Sequence, residues 1–138
     1  MTHYPIKLKL RIDWSEMDLF GHVNNVSFFK YMQAARVNYW EVLGLSDSYE
    51  RTKIGPILAS SQCDFKRPLF YPGNITVQSG VESIGETSFC ILHQIVNEKN
   101  EIVAEGKDVV VLFDFNTNKK MSIPDSIREQ VGELEKNC

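Results

Sequence analysis

The sequence has few of the residues that build disulfide frameworks and metal clusters. Its cysteines are Cys63, Cys90 and Cys138, and its histidines are His3, His22 and His93. The cysteines are odd in number, widely separated and without a CxxC spacing, which favours reduced thiols over a disulfide framework or a zinc site. The histidines are equally dispersed along the chain, so we expect no bound metal.

Long apolar runs and an excess of positive charge are also missing. No stretch approaches the roughly 20 apolar residues of a membrane span, and the N-terminus lacks the pattern of a secretory signal, so we expect a cytoplasmic protein without a membrane partner. The net charge of −3 and pI near 5.6 provide no overall basic field for nucleic acid. With 138 residues, 43% of them hydrophobic, we expect one domain spanning residues 1–138.

Alternating apolar and charged residues predict the strands. From Ile6 to Trp14 every second residue is apolar, with lysine, arginine or aspartate between, which is typical of a half-buried strand. Further strands are predicted at residues 57–66, 75–85, 87–96 and 102–115, and a short surface helix at residues 126–135. The last strand is apolar on both faces, which predicts that a second subunit covers one of them.

A long apolar helix is predicted from residue 25 to residue 43. At about 100° per residue, its polar and small residues form one narrow stripe of Ser27, Lys30, Ala34, Asn38 and Glu41. The rest is mostly apolar, so we expect a helix enclosed on several sides, as by a curved sheet. Gly44 ends it, and residues 46–53 are expected to be a polar surface connection. Arg36 lies within the apolar arc, which favours a buried ion pair over a catalytic role.

The segment directly before this helix concentrates groups capable of chemistry. Asp18, Gly21, His22, Asn24 and Asn25 fall within eight residues, next to a helix start where backbone N–H groups have no intrahelical acceptor. A carboxylate beside such donors can serve an oxyanion site. Asp18 can also be a plain loop carboxylate, His22 can only fix the turn, and the asparagines can only cap the helix.

A magnesium site is a further reading of the acidic residues in this region. Asp13 and Glu16 precede Asp18 closely, but an acidic cluster on a loop is more often solvated than metal-bound. We therefore keep the expectation that no metal binds here.

Several segments together resemble the hot-dog fold acyl-CoA thioesterases of the 4-hydroxybenzoyl-CoA thioesterase type. The most specific is Asp-x-x-Gly-His-Val-Asn-Asn at residues 18–25, preceded by Trp14-Ser15-Glu16-Met17. The later landmarks are Tyr31, Ala35-Arg36, Asp64-Phe65-Lys66-Arg67-Pro68-Leu69 before Gly73, Ala104-Glu105-Gly106 and Ile123-Pro124. The chain departs from residues common in the family at Glu16, Phe28 and Gln33, where aspartate, tyrosine and glutamate are frequent.

The resemblance implies an α+β fold in which an antiparallel five-stranded sheet wraps around one long central helix, with a short C-terminal helix. It also implies a homodimer or homotetramer with active sites at the subunit interface. Asp18 is then the nucleophile or general base, and a backbone N–H near Asn25 polarises the thioester carbonyl. No cofactor is implied beyond the CoA of the substrate.

Other residues are candidates for contact with an acyl-CoA substrate. They are His22, Asn24, Ser60, Ser61, Lys66 and Arg67. The two basic side chains can meet phosphates, although neighbouring basic residues are more often a surface feature. The function implied is hydrolysis of an acyl-CoA thioester to the free acid and CoA. The alternatives are a hot-dog hydratase or dehydratase, a non-catalytic acyl-CoA binding module, and an interaction partner that uses the same dimer surface.

Overall fold

A computed structural model describes residues 4–136, so His3 and Cys138 lie outside the described residues. The strands are β1 (Ile6–Arg11), β2 (Ile54–Phe65), β3 (Asn74–Ile84), β4 (Ser88–Val96), β5 (Ile102–Asp114) and β6 (Lys119–Lys120). The helices are α1 (Asn25–Val42), α2 (Leu45–Thr52) and α3 (Asp125–Lys136), and a 3-10 turn covers Trp14–Glu16. The five predicted strands, the long helix and the C-terminal helix are confirmed; β6 adds a two-residue strand.

The strands form one antiparallel sheet in the order β1-β3-β4-β5-β2, and β6 pairs with β5. β1 and β2 therefore form the two edges of the main sheet. The register sets Leu8 opposite Val77 at one edge and Leu58 opposite Val110 at the other. Irregularities interrupt the register within β2 and β3, where the bulged strands bend and the local twist increases.

The concave face of this sheet packs around α1. The first half of the helix packs on the sheet through Phe28, Tyr31, Met32 and Ala35, against Ile75, Val77, Ile95 and Val103. The second half packs through Tyr39 and Trp40, against Phe89, Ile91, Val110, Leu112 and, from α3, Ile127 and Val131. Burying each large apolar side chain contributes about 1.5–3 kcal/mol. The hot-dog architecture is confirmed.

One glycine lets the sheet approach the helix closely. A Cβ added to Gly106 on β5 would lie 2.4 Å from the terminal methyl carbon of Met32, which has no exposed surface. The Met32 side chain therefore occupies the space that any larger residue at position 106 would need. This contact holds the middle of β5 against the second turn of α1.

The first strand is shorter than predicted, because Trp14 does not continue it. β1 ends at Arg11, and Trp14 begins the 3-10 turn with 72% of its surface exposed. The cause is a capping box: Asp13 accepts a hydrogen bond from the Ser15 N–H, and the Glu16 carboxylate accepts one from the Asp13 N–H. These local bonds offer the backbone an alternative to the sheet ladder.

The structure refines two expectations about the helical region. Residues 46–53 form a surface connection, as predicted, but most of it is the helix α2, which starts where Gly44 ends α1 in a left-handed conformation (φ 77°). The helix α1 is also less enclosed than predicted, since Val26, Val37 and Val42 are exposed in the single chain. Within residues 4–136, no helix combines the length and apolar character that a membrane span requires.

Candidate active site

Residues 16–24, which we call the site hairpin, fold back on themselves directly before α1. A bridge joins Met17 to Val23, and the Asp18 N–H donates to the His22 carbonyl at 2.6 Å. The reversal uses Gly21 at φ 83°, a left-handed conformation that favours glycine. The motif recognised in the sequence is therefore a compact hairpin, with Asp18 and His22 facing each other across it.

The Asp18 carboxylate has one oxygen committed to this hairpin. Its Oδ1 accepts hydrogen bonds from the backbone N–H groups of Phe20 at 2.9 Å and His22 at 3.0 Å. The second oxygen, Oδ2, has no hydrogen-bond donor among residues 4–136. The carboxylate is thus oriented by the backbone while one of its oxygens stays available for another group.

The start of α1 supplies hydrogen-bond donors beside this carboxylate. The Asn24 side chain caps the helix by accepting from the Val26 N–H at 3.0 Å, as its capping interpretation predicts. The Asn25 N–H, in the first helical residue, has no acceptor in the described part of the chain. Such a group, at the positive end of the helix dipole, suits an anionic oxygen.

These groups meet in a cavity of about 400 Å³. Its lining residues are Asp18, His22, Val23, Asn25, Phe28, Phe65, Lys66, Arg67 and Pro68. Of the eight candidate residues, it therefore brings together Asp18, Asn25, His22, Lys66 and Arg67. Asn24, Ser60 and Ser61 do not line it. The cavity combines a carboxylate, a free helix-terminal N–H, an imidazole, two cations and an apolar wall.

The two cations are held by exposed carboxylates. Lys66 lies 3.6 Å from Glu105, and Arg67 lies 3.6 Å from Glu101, with each side chain about half exposed. Exposed pairs of this kind contribute only about 0–1 kcal/mol. Both cations can therefore exchange these partners for a bound anion at little expense in stability.

Ser61 belongs to a different cluster, on the concave face of the sheet. Its hydroxyl donates to Asp108 Oδ1 at 2.6 Å, and Arg36 Nη1 donates to Asp108 Oδ2 at 2.8 Å. The predicted ion pair of Arg36 is confirmed, and its partner is Asp108 on β5. Ser60, the neighbouring residue on β2, is exposed. Neither serine contacts the site hairpin.

The same cluster includes a buried serine and histidine. His93 Nε2 lies 2.8 Å from Asp108 Oδ2, and Ser79 Oγ lies 2.7 Å from His93 Nδ1. This order of serine, histidine and aspartate resembles a hydrolytic triad. However, Ser79 and Asp108 are 0% exposed and His93 is 1% exposed, so no substrate reaches the serine. We interpret the cluster as a structural network that joins β2, β3, β4, β5 and α1.

Burial alone raises the pKa of Asp108, but hydrogen bonds from His93 and Ser61, the charge of His93 and the hydrogen bond from Arg36 outweigh it. The pKa therefore lies below its usual value. One feature of the sequence indicates this network: Ser79, His93 and Asp108 occupy inward positions on their strands, where polar residues require partners.

Two other kinds of site can be compared with this cavity: a cysteine nucleophile and a metal site. Burial and the neighbouring charges of Asp64 and Asp108 raise the pKa of the Cys63 thiol to about 11, so little reactive thiolate is present at neutral pH. Across residues 4–136, no three histidine, cysteine, aspartate or glutamate side chains converge in a way that could hold a metal ion.

Glu16, at the start of the site hairpin, forms contacts that the sequence did not predict. Glu16 is buried, with 7% of the residue's surface exposed. Its carboxylate accepts hydrogen bonds from Tyr31 Oη at 2.7 Å and from Lys30 Nζ at 3.0 Å. Burial alone raises its pKa, but these bonds and the one from the Asp13 N–H outweigh it, so the pKa is lowered. The Asp-x-x-Glu spacing of residues 13–16 is typical of a capping box, so it indicates the hydrogen bond from the Asp13 N–H but not those from Lys30 and Tyr31.

Comparison with known proteins agrees with this architecture. The family model of the thioesterase-like superfamily matches residues 12–131. The long-chain acyl-CoA thioesterase FadM of Escherichia coli is 22% identical over 136 residues, covering 95% of this chain and all of FadM. The YsmA protein of Bacillus subtilis is 27% identical over 128 residues, covering 93% of this chain and 86% of YsmA.

A solved structure supports the same assignment. The thioesterase of Thermus thermophilus, crystallised with coenzyme A and zinc, superposes with a TM-score of 0.86 at 25% identity. The superposition covers 99% of this chain and 98% of that one. Because the family model matches well over half of the sequence, the resemblance to hot-dog acyl-CoA thioesterases is confirmed, and the protein belongs to the thioesterase-like superfamily.

Proposed function

We propose that this protein hydrolyses acyl-CoA thioesters to a free carboxylic acid and CoA. The observation that carries the proposal is that Asp18 and Asn25 line one cavity at the start of α1, where the Asn25 N–H has no acceptor in the described part of the chain. The relatives support the substrate class, since FadM is described as a long-chain acyl-CoA thioesterase and the Thermus thermophilus thioesterase binds coenzyme A.

The chemistry assigns complementary roles to the two groups. The Asn25 N–H donates to the thioester carbonyl oxygen and stabilises the negative charge that develops there. Asp18 either attacks the carbonyl carbon, expelling the CoA thiolate and forming a mixed anhydride that water then hydrolyses, or removes a proton from the water that attacks. In both routes the products are CoA and a carboxylate, with no redox change.

The rest of the cavity suits the remaining parts of the substrate. Lys66 and Arg67 lie at the cavity in weak exposed ion pairs, so we assign them to the CoA phosphates. His22 lines the cavity and makes an edge contact with Phe70 at 5.1 Å between ring centres. We assign His22 to substrate contact rather than to proton transfer.

A panel of short, long, branched and aromatic acyl-CoA thioesters, assayed for free thiol, tests this function. We expect thiol release with at least one class of acyl group, accompanied by an equal amount of the free acid. Hydration of an enoyl-CoA without thiol release would identify a hydratase instead. Tight acyl-CoA binding without any turnover would identify a binding module.

We also propose that the protein forms a homodimer, alone or paired into a tetramer, through the free edge of β2. This edge strand is 12 residues long and exposes Ile57 and Leu58. On β5, beside it, the outward residues Val109 and Val111 are only half-buried. A long apolar edge is a template for pairing with a second chain.

Lysine placed on that edge is expected to weaken the dimer, because charged edge residues oppose strand pairing. Sedimentation at micromolar concentration should give a dimer or larger for the wild type and a larger monomer fraction for Ile57→Lys. Ile102→Lys is a matched control, since Ile57 and Ile102 are both 37% exposed but Ile102 lies on the interior strand β5. A monomeric wild type would contradict the assembly.

A further inference from the structure

The Glu16 carboxylate connects the site hairpin to the side of α1. Its Oε1 accepts from Tyr31 Oη at 2.7 Å and from the Asp13 N–H at 2.8 Å, and its Oε2 accepts from Lys30 Nζ at 3.0 Å. The Glu16 backbone carbonyl accepts from the Asn24 N–H at 2.8 Å. Glu16 therefore connects the first arm of the hairpin, residues 16–18, both to the second arm, residues 22–24, and to the second turn of α1.

The two arms of the hairpin are attached to the helix differently. The second arm is fixed covalently, because Asn24 is the N-cap and Asn25 begins α1, and its Val23 N–H donates to the Leu69 carbonyl at 2.9 Å. The first arm carries Asp18 and has no covalent connection to the helix except around the turn. The Glu16 carboxylate makes the side-chain hydrogen bonds of this arm to the helix, and Met17 packs against the core that includes Phe28 and Tyr31.

This difference matters because Asp18 lies on the first arm, whereas the Asn25 N–H follows the second arm at the start of α1. A displacement of about 1 Å between reacting groups can lower a rate by roughly 100-fold. The Tyr31 bond is buried, and the Lys30 bond joins opposite charges. Charge-assisted hydrogen bonds are shorter and about twice as strong as neutral ones, so they suit the task of fixing the first arm.

We propose that Glu16 is a positioning residue for the reaction: its carboxylate fixes the Asp18 arm to Lys30 and Tyr31 and so holds Asp18 in register with the Asn25 N–H. This inference rests on the proposed thioester hydrolysis. Glu16 itself does not line the cavity with Asp18 and Asn25, so it acts through Asp18 and not on the substrate.

Glu16→Gln tests this role by removing the charge at nearly constant size. We expect kcat to fall about tenfold while KM changes less than about twofold, because the loss affects orientation more than binding. Tyr31→Phe should lower kcat in the same direction, and the double variant should fall by less than the product of the two, since both remove one shared bond. The fold is monitored by thermal unfolding of each variant.

Glu98→Gln is the matched control. The Glu98 carboxylate also accepts from a backbone N–H, that of Asn74 at 2.6 Å, but it forms no hydrogen bond to the site hairpin or to α1. We expect its kcat to stay within about twofold of the wild type. Glu16→Gln can instead lower the unfolding temperature while its kcat, like that of Glu98→Gln, stays within about twofold of the wild type. In that case Glu16 only supports the fold, and the inference is overturned.

Amide hydrogen exchange gives a readout that does not depend on activity. In Glu16→Gln, the amides of residues 17–23 should exchange faster while those of β4 and β5 remain protected. Unchanged exchange in residues 17–23 overturns the inference even if no thioester is cleaved. Absence of thiol release by the wild type, with faster exchange in the variant, would instead overturn the proposed hydrolysis and leave the anchoring contact established.

Discussion

Replacing Asp18 with asparagine is expected to lower turnover of acyl-CoA at least about 100-fold, because the reaction loses its nucleophile or general base. Asparagine retains a side-chain oxygen that can accept the two backbone bonds from Phe20 and His22, which now reach Asp18 Oδ1 at 2.9 and 3.0 Å. The hairpin should therefore keep its shape. The fall should appear in kcat, with little change in the affinity for CoA.

Asp114→Asn is the matched control for this change. The Asp114 carboxylate accepts from the backbone N–H two residues ahead, that of Asn116 at 2.8 Å, as Asp18 does from Phe20. It lies at the end of β5 and is not among the residues lining the site cavity. The turnover of Asp114→Asn should stay within about twofold of that of the wild type. Full activity in Asp18→Asn would remove Asp18 from the chemistry.

Replacing Asp108 with asparagine is expected to lower the free energy of unfolding by about 3 kcal/mol near neutral pH, as loss of one member of a buried ion pair does. Asp108 is 0% exposed and is bonded to Arg36, His93 and Ser61. Its loss leaves the guanidinium without its counter-ion. Urea unfolding at a fixed protein concentration measures the difference.

The pH dependence of this difference has a defined sign. The folded-state pKa of Asp108 is depressed, so its stabilisation is fully present above the unfolded pKa of about 3.9 and is lost as pH falls through the lower folded pKa. The gap between wild type and Asp108→Asn should therefore persist from pH 7 to about pH 5 and shrink below about pH 4.

Glu82→Gln provides the control, because Glu82 pairs with Lys107 at 3.6 Å on the exposed face of the sheet. Exposed pairs contribute about 0–1 kcal/mol, so this variant should differ little from the wild type at any pH. Equal losses in the two variants would show that the network around Asp108 does not stabilise the fold.

The sequence predicts those parts of the fold that follow from local periodicity. Alternation defined β1 and the strands after α1, and the wide apolar arc of α1 indicated that a curved sheet packs around it. Prediction was wrong where short-range bonds decide the structure. The capping box of Asp13 and Glu16 turns Trp14 out of the strand, and α2, whose start at the left-handed Gly44 was not predicted, contains few apolar residues.

The site was predictable to the extent that its residues are neighbours in sequence. Asp18, His22 and Asn25 were candidates because they precede a helix, and they line one cavity. The pairing of Arg36 with Asp108 joins residues 72 positions apart, which residue type alone does not identify. Ser61 was a candidate for contact with the substrate, but it donates a hydrogen bond to Asp108, because the antiparallel register sets it opposite that residue.

Hydrolysis at the Asp18 cavity is tested most directly by following thiol, acid and oxygen isotope in one reaction. The wild type is incubated in water enriched in oxygen-18 with the acyl-CoA that it cleaves fastest. We expect equal amounts of free thiol and carboxylic acid, oxygen-18 in the acid, and an unchanged acyl chain; Asp18→Asn should form both products at least about 100-fold more slowly. Oxygen-18 in the acyl chain with the thioester intact, or equal rates in the two proteins, would contradict it.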